Sequence, residues 1–256
     1  MKVAALSVVI TSFDSARTLP RCLASARFAG EVVVVDGGSR DASREVAARH
    51  GATVIPADNP AMLNVNKNRG FSAARGAWIL SLDSDEEVSP ELADAIGRAI
   101  ASDEPVAGYW IARHHLLMGV RLRGGPWGRD RQLRLFRAGR GRFALADIHE
   151  MLDLDGRAGE LVAPILHHRP AAFREHRRRI LHYARHRAAR YAAERRPIRP
   201  HKIVGGPARA IVGSLLLGRG ILDGLPGIYL AGVLGLEALC DHLYHLSFRW
   251  QAWRRP

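Results

Sequence analysis

Cysteine is nearly missing from these 256 residues: Cys22 and Cys240 are the only two, far apart and without a CxxC spacing. They can build neither a disulfide framework nor a structural zinc site, and such usage fits a reducing compartment. Long apolar runs are missing too. In the apolar tail from Ile203 to Phe248 the longest uncharged stretch, Gly224–Leu236, is 13 residues, short of the ~18–20 needed to span a bilayer. Neither GxGxxG nor GxxxxGKS/T occurs, so the usual dinucleotide and P-loop readings have no support. The apolar start, Val3–Ile10, runs directly into Thr11-Ser12-Phe13-Asp14 with no small-residue cleavage pattern. It reads as a buried strand rather than a signal peptide.

Acids are scarce relative to bases. There are 25 Asp and Glu against 38 Lys and Arg, a net charge of +13, which points to a polyanionic partner such as nucleic acid, an anionic lipid surface or a phosphorylated substrate. Arg169–Arg196 alone holds ten arginines and two glutamates. A mildly basic globule with one concentrated basic helix is therefore expected. With 47% hydrophobic residues the chain can bury a sizeable core, and global disorder is excluded.

Strand and helix patterns alternate over residues 1–101. Strands are expected at Val3–Ile10, Glu31–Asp36, Thr53–Ile55 and Trp78–Leu82, and helices at Leu19–Phe28, Arg40–His50 (N-cap Ser39 or Asp41), Asn66–Arg75 and Pro90–Ala101. The Val32–Val35 run is too apolar and β-branched for an exposed strand, so the sheet is covered on both faces. Alternation with short connections implies a Rossmann-like α/β fold with a mostly parallel sheet, in which ligands bind outside the carboxyl ends of the strands. Three polar clusters fall at such ends: Thr11–Asp14, Asp36–Asp41 and Asp83–Asp85. From 102 to 168 shorter β-like pieces, Tyr109–His115, Gln132–Phe136 and Leu161–His167, suggest a mixed extension of the sheet carrying acceptor-binding loops. Residues 169–256 form a basic and apolar helical region, expected to lie in a membrane interface or, alternatively, to pack as a helical hairpin.

Asp83-Ser84-Asp85 ends an apolar strand. If the chain turns there, both carboxylates can approach one Mg²⁺ or Mn²⁺, which take oxygen ligands and bridge to phosphates. Its alternative is an acidic loop, with Glu86 and Glu87 leading into a helix. In Val35-Asp36-Gly37-Gly38-Ser39-Arg40-Asp41, an acid at a strand end precedes two glycines and a helix start, which suits a ribose hydroxyl and anionic groups. The adjacent histidines His114-His115 and His167-His168 suggest no metal cluster, because neighbours on a strand face opposite ways.

Ser7–Asp14, Val34–Asp41, Lys67-Asn68-Arg69-Gly70 and Leu82–Glu86, in that order and spacing, resemble glycosyltransferase family 2 with its GT-A fold. More loosely, Gln132–Phe136, Ile148-His149-Glu150, Leu161–His167 and Gly220–Gly227 are similar to a subgroup that includes lipopolysaccharide core β-1,4-glucosyltransferases. Thr11 stands where many members have proline, and Asp14 where asparagine is common. The resemblance implies an inverting, metal-dependent transferase that moves a sugar from a nucleotide-sugar donor, a UDP-sugar, to an envelope glycolipid or polysaccharide. Asp36 and Asp41 would hold the nucleoside, Thr11 and Phe13 would line the base pocket, and Lys67 would assist. Asp83 would touch ribose and metal, and Asp85 would be the main ligand of a divalent Mg²⁺ or Mn²⁺.

Direct displacement by a hydroxyl needs a base to take its proton. Glu150 is the first candidate, with His149 beside it as an orienting group or phosphate contact, and Asp130 the second. Arg131 and Arg134 suit a phosphate-bearing acceptor, although strand alternation puts Arg134 on the opposite face from Arg131 and Arg137. The enzyme would sit in the cytoplasm, peripherally on the inner face of the membrane, with no nucleic acid as partner. The alternative is a protein without transferase activity, either a nucleotide-sugar-binding pseudoenzyme or a basic nucleic-acid binder. The latter explains the arginine helix but not acids at three strand ends.

Overall fold

In the computed structural model, which describes residues 2–59, 64–145, 151–169, 173–194 and 196–253, the sheet grows outward from its first strand. β1 (Val3–Ser12) is followed by α1 (Leu19–Ser25), β2 (Ala29–Asp36), α2 (Ser43–Arg49), β3 (Thr53–Pro56), α3 (Asn64–Ala73), β4 (Trp78–Asp83), β5 (Glu86–Val88) and α4 (Pro90–Ala101). Then come β6 (Gly108–Leu117), β7 (Val120–Arg121), β8 (Arg131–Arg137), β9 (Gly141–Arg142), β10 (Asp153–Leu154) and β11 (Ala158–His168). The helices α5 (Phe173–Ala193), α6 (His201–Val212) and α7 (Leu225–Trp253) complete the described chain.

The main sheet has the order β3-β2-β1-β4-β8-β6-β11-β5, and β1 pairs in parallel with both β2 and β4. Alternation along β1 divides its side chains between two cores, Val8 and Ile10 on one face and Val9 on the other, as expected for a sheet covered on both sides. The far half is the mixed extension: β8 is antiparallel to β4 and β6, and β5 antiparallel to β11. α3 lies close on the sheet at Gly70, where a Cβ would come within 2.4 Å of a Val9 methyl. No larger residue fits there without displacement.

Two elements depart from expectation. Glu86 and Glu87 are not an acidic loop leading into a helix; with Val88 they form β5, Val88 facing Ile165 and Glu86 facing His167. α2 starts at Ser43 rather than Arg40, because Asp41 accepts from the Ser43 amide at 3.0 Å and from its hydroxyl, closing a turn before the helix.

The described chain falls into two compact units, residues 1–114 with 130–168 and residues 115–129 with 169–256. Segment 115–129, expected in the acceptor half of the sheet domain, packs within the helical unit. Its Leu117 and Leu122 form a small core with Leu230, and Asp223 accepts from the amides of Arg123 and Gly124 at 2.8 Å each. Within that unit Arg187 of α5 reaches Asp241 of α7 at 3.0 Å and also contacts Glu237. Among the described residues no helix is long and apolar enough to cross a membrane.

Candidate active site

Register across β1 brings two acids to one end of the sheet. Asp36 of β2 lies opposite Ser12, and Asp83 of β4 lies opposite Thr11 on the other flank. At twice the ~4.8 Å strand spacing their backbones are about 10 Å apart. Both are at carboxyl ends of parallel strands, where α/β sheets bind ligands.

Asp36 is 0% exposed. Its carboxylate accepts from the Ser39 amide at 3.1 Å, the Ser39 hydroxyl, and Arg44 Nε at 2.6 Å. Burial alone would raise its pKa, but these bonds outweigh it and hold the group below the usual carboxylate range. Among the described residues three donors reach its two oxygens, two of them on Oδ2 and one on Oδ1. The β1–α1 and β2–α2 loops interlock beside it: Asp14 accepts from the Arg40 amide at 2.8 Å, and Ser15 donates to Ser43 Oγ at 2.8 Å. Asp41 belongs to this lock. Its other oxygen takes the Ala16 amide at 2.9 Å, so Asp41, expected at the nucleoside, ties the two loops together. Thr11 is half-buried, and Phe13 is exposed at the rim.

Asp83 sits among cations. Lys67 Nζ of α3 is 2.8 Å from one oxygen, and the Arg134 guanidinium of β8 is 2.7 Å from the other, with Arg113 3.8 Å away. Burial pushes the carboxyl up, but Arg134 and Lys67 more than offset this and hold it well below its ordinary value. Glu86, turned inward by β5, accepts from the Asp83 amide at 2.8 Å, from Arg134 at 2.8 Å and from Arg113 at 3.1 Å. Arg113 also holds Asp130 at 2.7 Å, and Gln132 donates to the other Asp130 oxygen at 2.9 Å. Three acids and three bases thus form one network around the buried Arg134–Glu86 pair, in which each charge is compensated.

Asp85, on the turn between β4 and β5, faces His167 of β11, with carboxylate and Nε2 3.3 Å apart. The neighbouring pair, His168 and Glu87, is 2.6 Å apart on the opposite side of the strands. Among the described residues no three His, Cys, Asp or Glu side chains cluster as a metal cage. A hard divalent cation takes oxygen ligands, and the Asp85 carboxylate is a donor of that kind at this turn. Asp83, expected as a second ligand, has both oxygens on cationic side chains.

At 4% exposed Arg134 is no arm for an acceptor phosphate but the buried counter-ion of Asp83 and Glu86. Strand alternation puts Arg131 outside, on Glu160 at 3.0 Å, and Arg137 over the Trp78 ring. Glu150 and His149 lie outside the described residues. The nearby segment is anchored, because the Asn68 side chain exchanges two 2.9 Å hydrogen bonds with the Phe143 backbone. Arg113, Glu86 and His167 were not read as site residues from sequence. Arg113 and His167 share a signal, a polar residue in a largely apolar strand, which Glu86 in Glu86-Glu87-Val88 lacks.

Residues 7–137, just over half the chain, match the family described as Glycosyl transferase family 2. A lipopolysaccharide core biosynthesis glycosyltransferase of Rhizobium meliloti strain 1021, LpsC, is 26% identical over 180 residues, covering 66% of this chain and 65% of its own. The succinoglycan biosynthesis protein ExoO of the same strain is 36% identical over 121 residues, covering 40% of this chain and 33% of its own. The chain therefore spans less than two thirds of the length of either relative. Among solved structures, glucosyl-3-phosphoglycerate synthase from Mycobacterium tuberculosis in complex with Mn²⁺ and uridine-diphosphate-glucose is similar at 19% identity over 43% of each chain, with a TM-score of 0.36. That likeness is too slight to transfer ligands.

Proposed function

The chain belongs to glycosyl transferase family 2, and from that premise we propose that it is a glycosyltransferase that transfers a sugar, with inversion, from a nucleotide-sugar donor to an envelope glycolipid or polysaccharide of the lipopolysaccharide-core kind. The observation that carries this reading is the placement of Asp36 and Asp83 on the two flanks of β1 at the carboxyl end of the sheet.

Asp36, buried on Ser39 and Arg44, backs the nucleoside pocket and fixes the turn that meets the ribose, with Thr11 and Phe13 beside the base. Asp83 stays ionised because Arg134 and Lys67 face it, and it orients Lys67 toward the phosphates. Asp85 and His167 hold the Mg²⁺ or Mn²⁺, which when bound neutralises charge developing on the departing diphosphate. Glu150 takes the proton of the acceptor hydroxyl as the new C–O bond forms and the bond to the diphosphate breaks, with His149 orienting it. Asp130, tied to Arg113 and Gln132, serves as a positioning residue.

The helical unit, residues 115–129 and 169–256, carries 20 Lys and Arg against 5 Asp and Glu, a net of +15, which leaves −2 on the sheet unit. At the turns Gly213–Leu217 and Gly220–Asp223 it exposes Leu216, Leu217, Ile221 and Leu222, followed by Leu225. Basic charge beside an exposed apolar tip supports peripheral attachment to an anionic membrane surface, the cytoplasmic face where a lipid-linked acceptor lies.

The test is product analysis. Envelope glycolipids incubated with the protein, a divalent cation and each of several nucleotide sugars should gain one sugar as one nucleoside diphosphate is released. Glycolipid unchanged with every donor, in extracts from cells lacking the protein, refutes the assignment.

A further inference from the structure

A cavity within the helical unit stands apart from the residues assigned to sugar transfer. It has a volume of about 330 Å³ and opens between the end of α5, the start of α6 and the last third of α7. Its polar lining is Tyr191, Arg196, Arg199, Lys202, His242 and His245, and no Asp or Glu is among the described lining residues. Arg196 lies over the Tyr191 ring at 4.5 Å and is bridged to Glu194 at 2.6 Å. Among the described residues no acid pairs with Arg199 or Lys202. Clustered cations without counter-ions repel one another, an arrangement that costs stability until an anion enters.

A buried orphan points the same way. His245 is 6% exposed, and among the described residues its Nε2 has no hydrogen-bond partner, although buried polar atoms are almost always paired. Its ring meets Tyr191 edge-on, with centroids 5.9 Å apart. Burial, then Arg249, His242 and Arg196, hold its pKa below the ordinary histidine value. Lys202 lies in the first turn of α6, whose amino end adds positive potential.

We propose that this cavity binds a phosphate group, received by Arg199, Lys202 and His242, with His245 Nε2 as the buried hydrogen-bonding partner. Guanidinium forks and an ammonium suit a dianionic or diester phosphate better than a neutral glycan. The volume is at the small end of ligand sites, fitting one head group rather than an extended chain. The phosphate can come from a lipid headgroup or from a soluble phosphoester.

The full chain, ¹⁵N-labelled at histidine, is titrated with inorganic phosphate while the imidazole resonances of His242 and His245 are followed. The comparison is Arg199→Ala with Lys202→Ala, both exposed positions, with folding checked by thermal melting. A saturable shift at His245, weakened about tenfold or more in the double variant, is expected. In parallel, both proteins are floated with phosphatidylglycerol–phosphatidylcholine vesicles. Vesicle binding that free phosphate competes away, and that the double variant loses, assigns the site to a headgroup. A phosphate shift with vesicle binding untouched assigns it to a soluble phosphoester. No saturable shift, or an equal shift in the double variant, overturns the proposal. Loss of vesicle binding without a ring shift overturns it too, since diffuse surface charge would suffice.

Discussion

Arg134→Met keeps most of the side-chain volume while deleting the buried cation between Asp83 and Glu86. The guanidinium lies 2.7 Å from Asp83 and 2.8 Å from Glu86, and both Arg134 and Glu86 are almost fully buried. Removing one partner of a buried pair leaves an uncompensated charge, at a cost of about 3–5 kcal/mol. For a chain of this size that lowers the melting temperature by roughly 10 °C.

The effect has a defined pH dependence. Asp83 has a folded pKa depressed by Arg134 and Lys67, so its contribution is present above the unfolded value of ~3.9 and is lost as pH falls through the folded one. The gap between wild type and variant should therefore be widest near neutrality and narrow in acid. Near-ultraviolet circular dichroism melts from pH 7 downward measure it. Adding Glu86→Gln should recover part of the loss, because it removes one of the stranded charges. A neutral-pH loss under ~1 kcal/mol, typical of exposed ion pairs, would refute the buried-network reasoning.

Leu217→Asp with Leu222→Asp, at positions 87% and 77% exposed, should leave melting unchanged but weaken flotation with anionic vesicles by roughly a hundredfold, about two leucine burials. Gly70→Ala forces a Cβ against Val9 and should cost about 1–3 kcal/mol in urea unfolding; a neutral result would mean α3 can shift off the sheet. Cys22, whose thiol burial and then Glu86 and its acidic neighbours push well up, should resist alkylation in the native protein and react only on unfolding, as mass spectrometry after timed labelling would reveal.

The parallel half of the fold was legible because each element carries its own signal: the Val32–Val35 run, helical spacing, and Pro90 at a helix start. The two strand-tip acids were legible for the same reason, since strand end and carboxylate are adjacent in sequence. Contacts between distant segments were not. Arg134 reads as one of three spaced arginines until the sheet order puts it 51 residues back, on Asp83. β5 is too short to signal itself and exists because β11 offers it an edge. Asp41 has the look of a ligand, yet its role depends on how two loops close. Likewise Leu117 and Leu122 find their partner, Leu230, more than a hundred residues on.

The central claim is that strand-tip acids of one sheet bind a nucleotide sugar together with a divalent ion. Calorimetric titration of UDP-glucose and other nucleotide sugars into the protein, with and without Mn²⁺, tests it directly. Saturable binding that requires the cation in wild type and disappears in Asp85→Ala is the predicted result. Absence of binding to any nucleotide sugar, or affinity indifferent to both the cation and Asp85, would contradict the account.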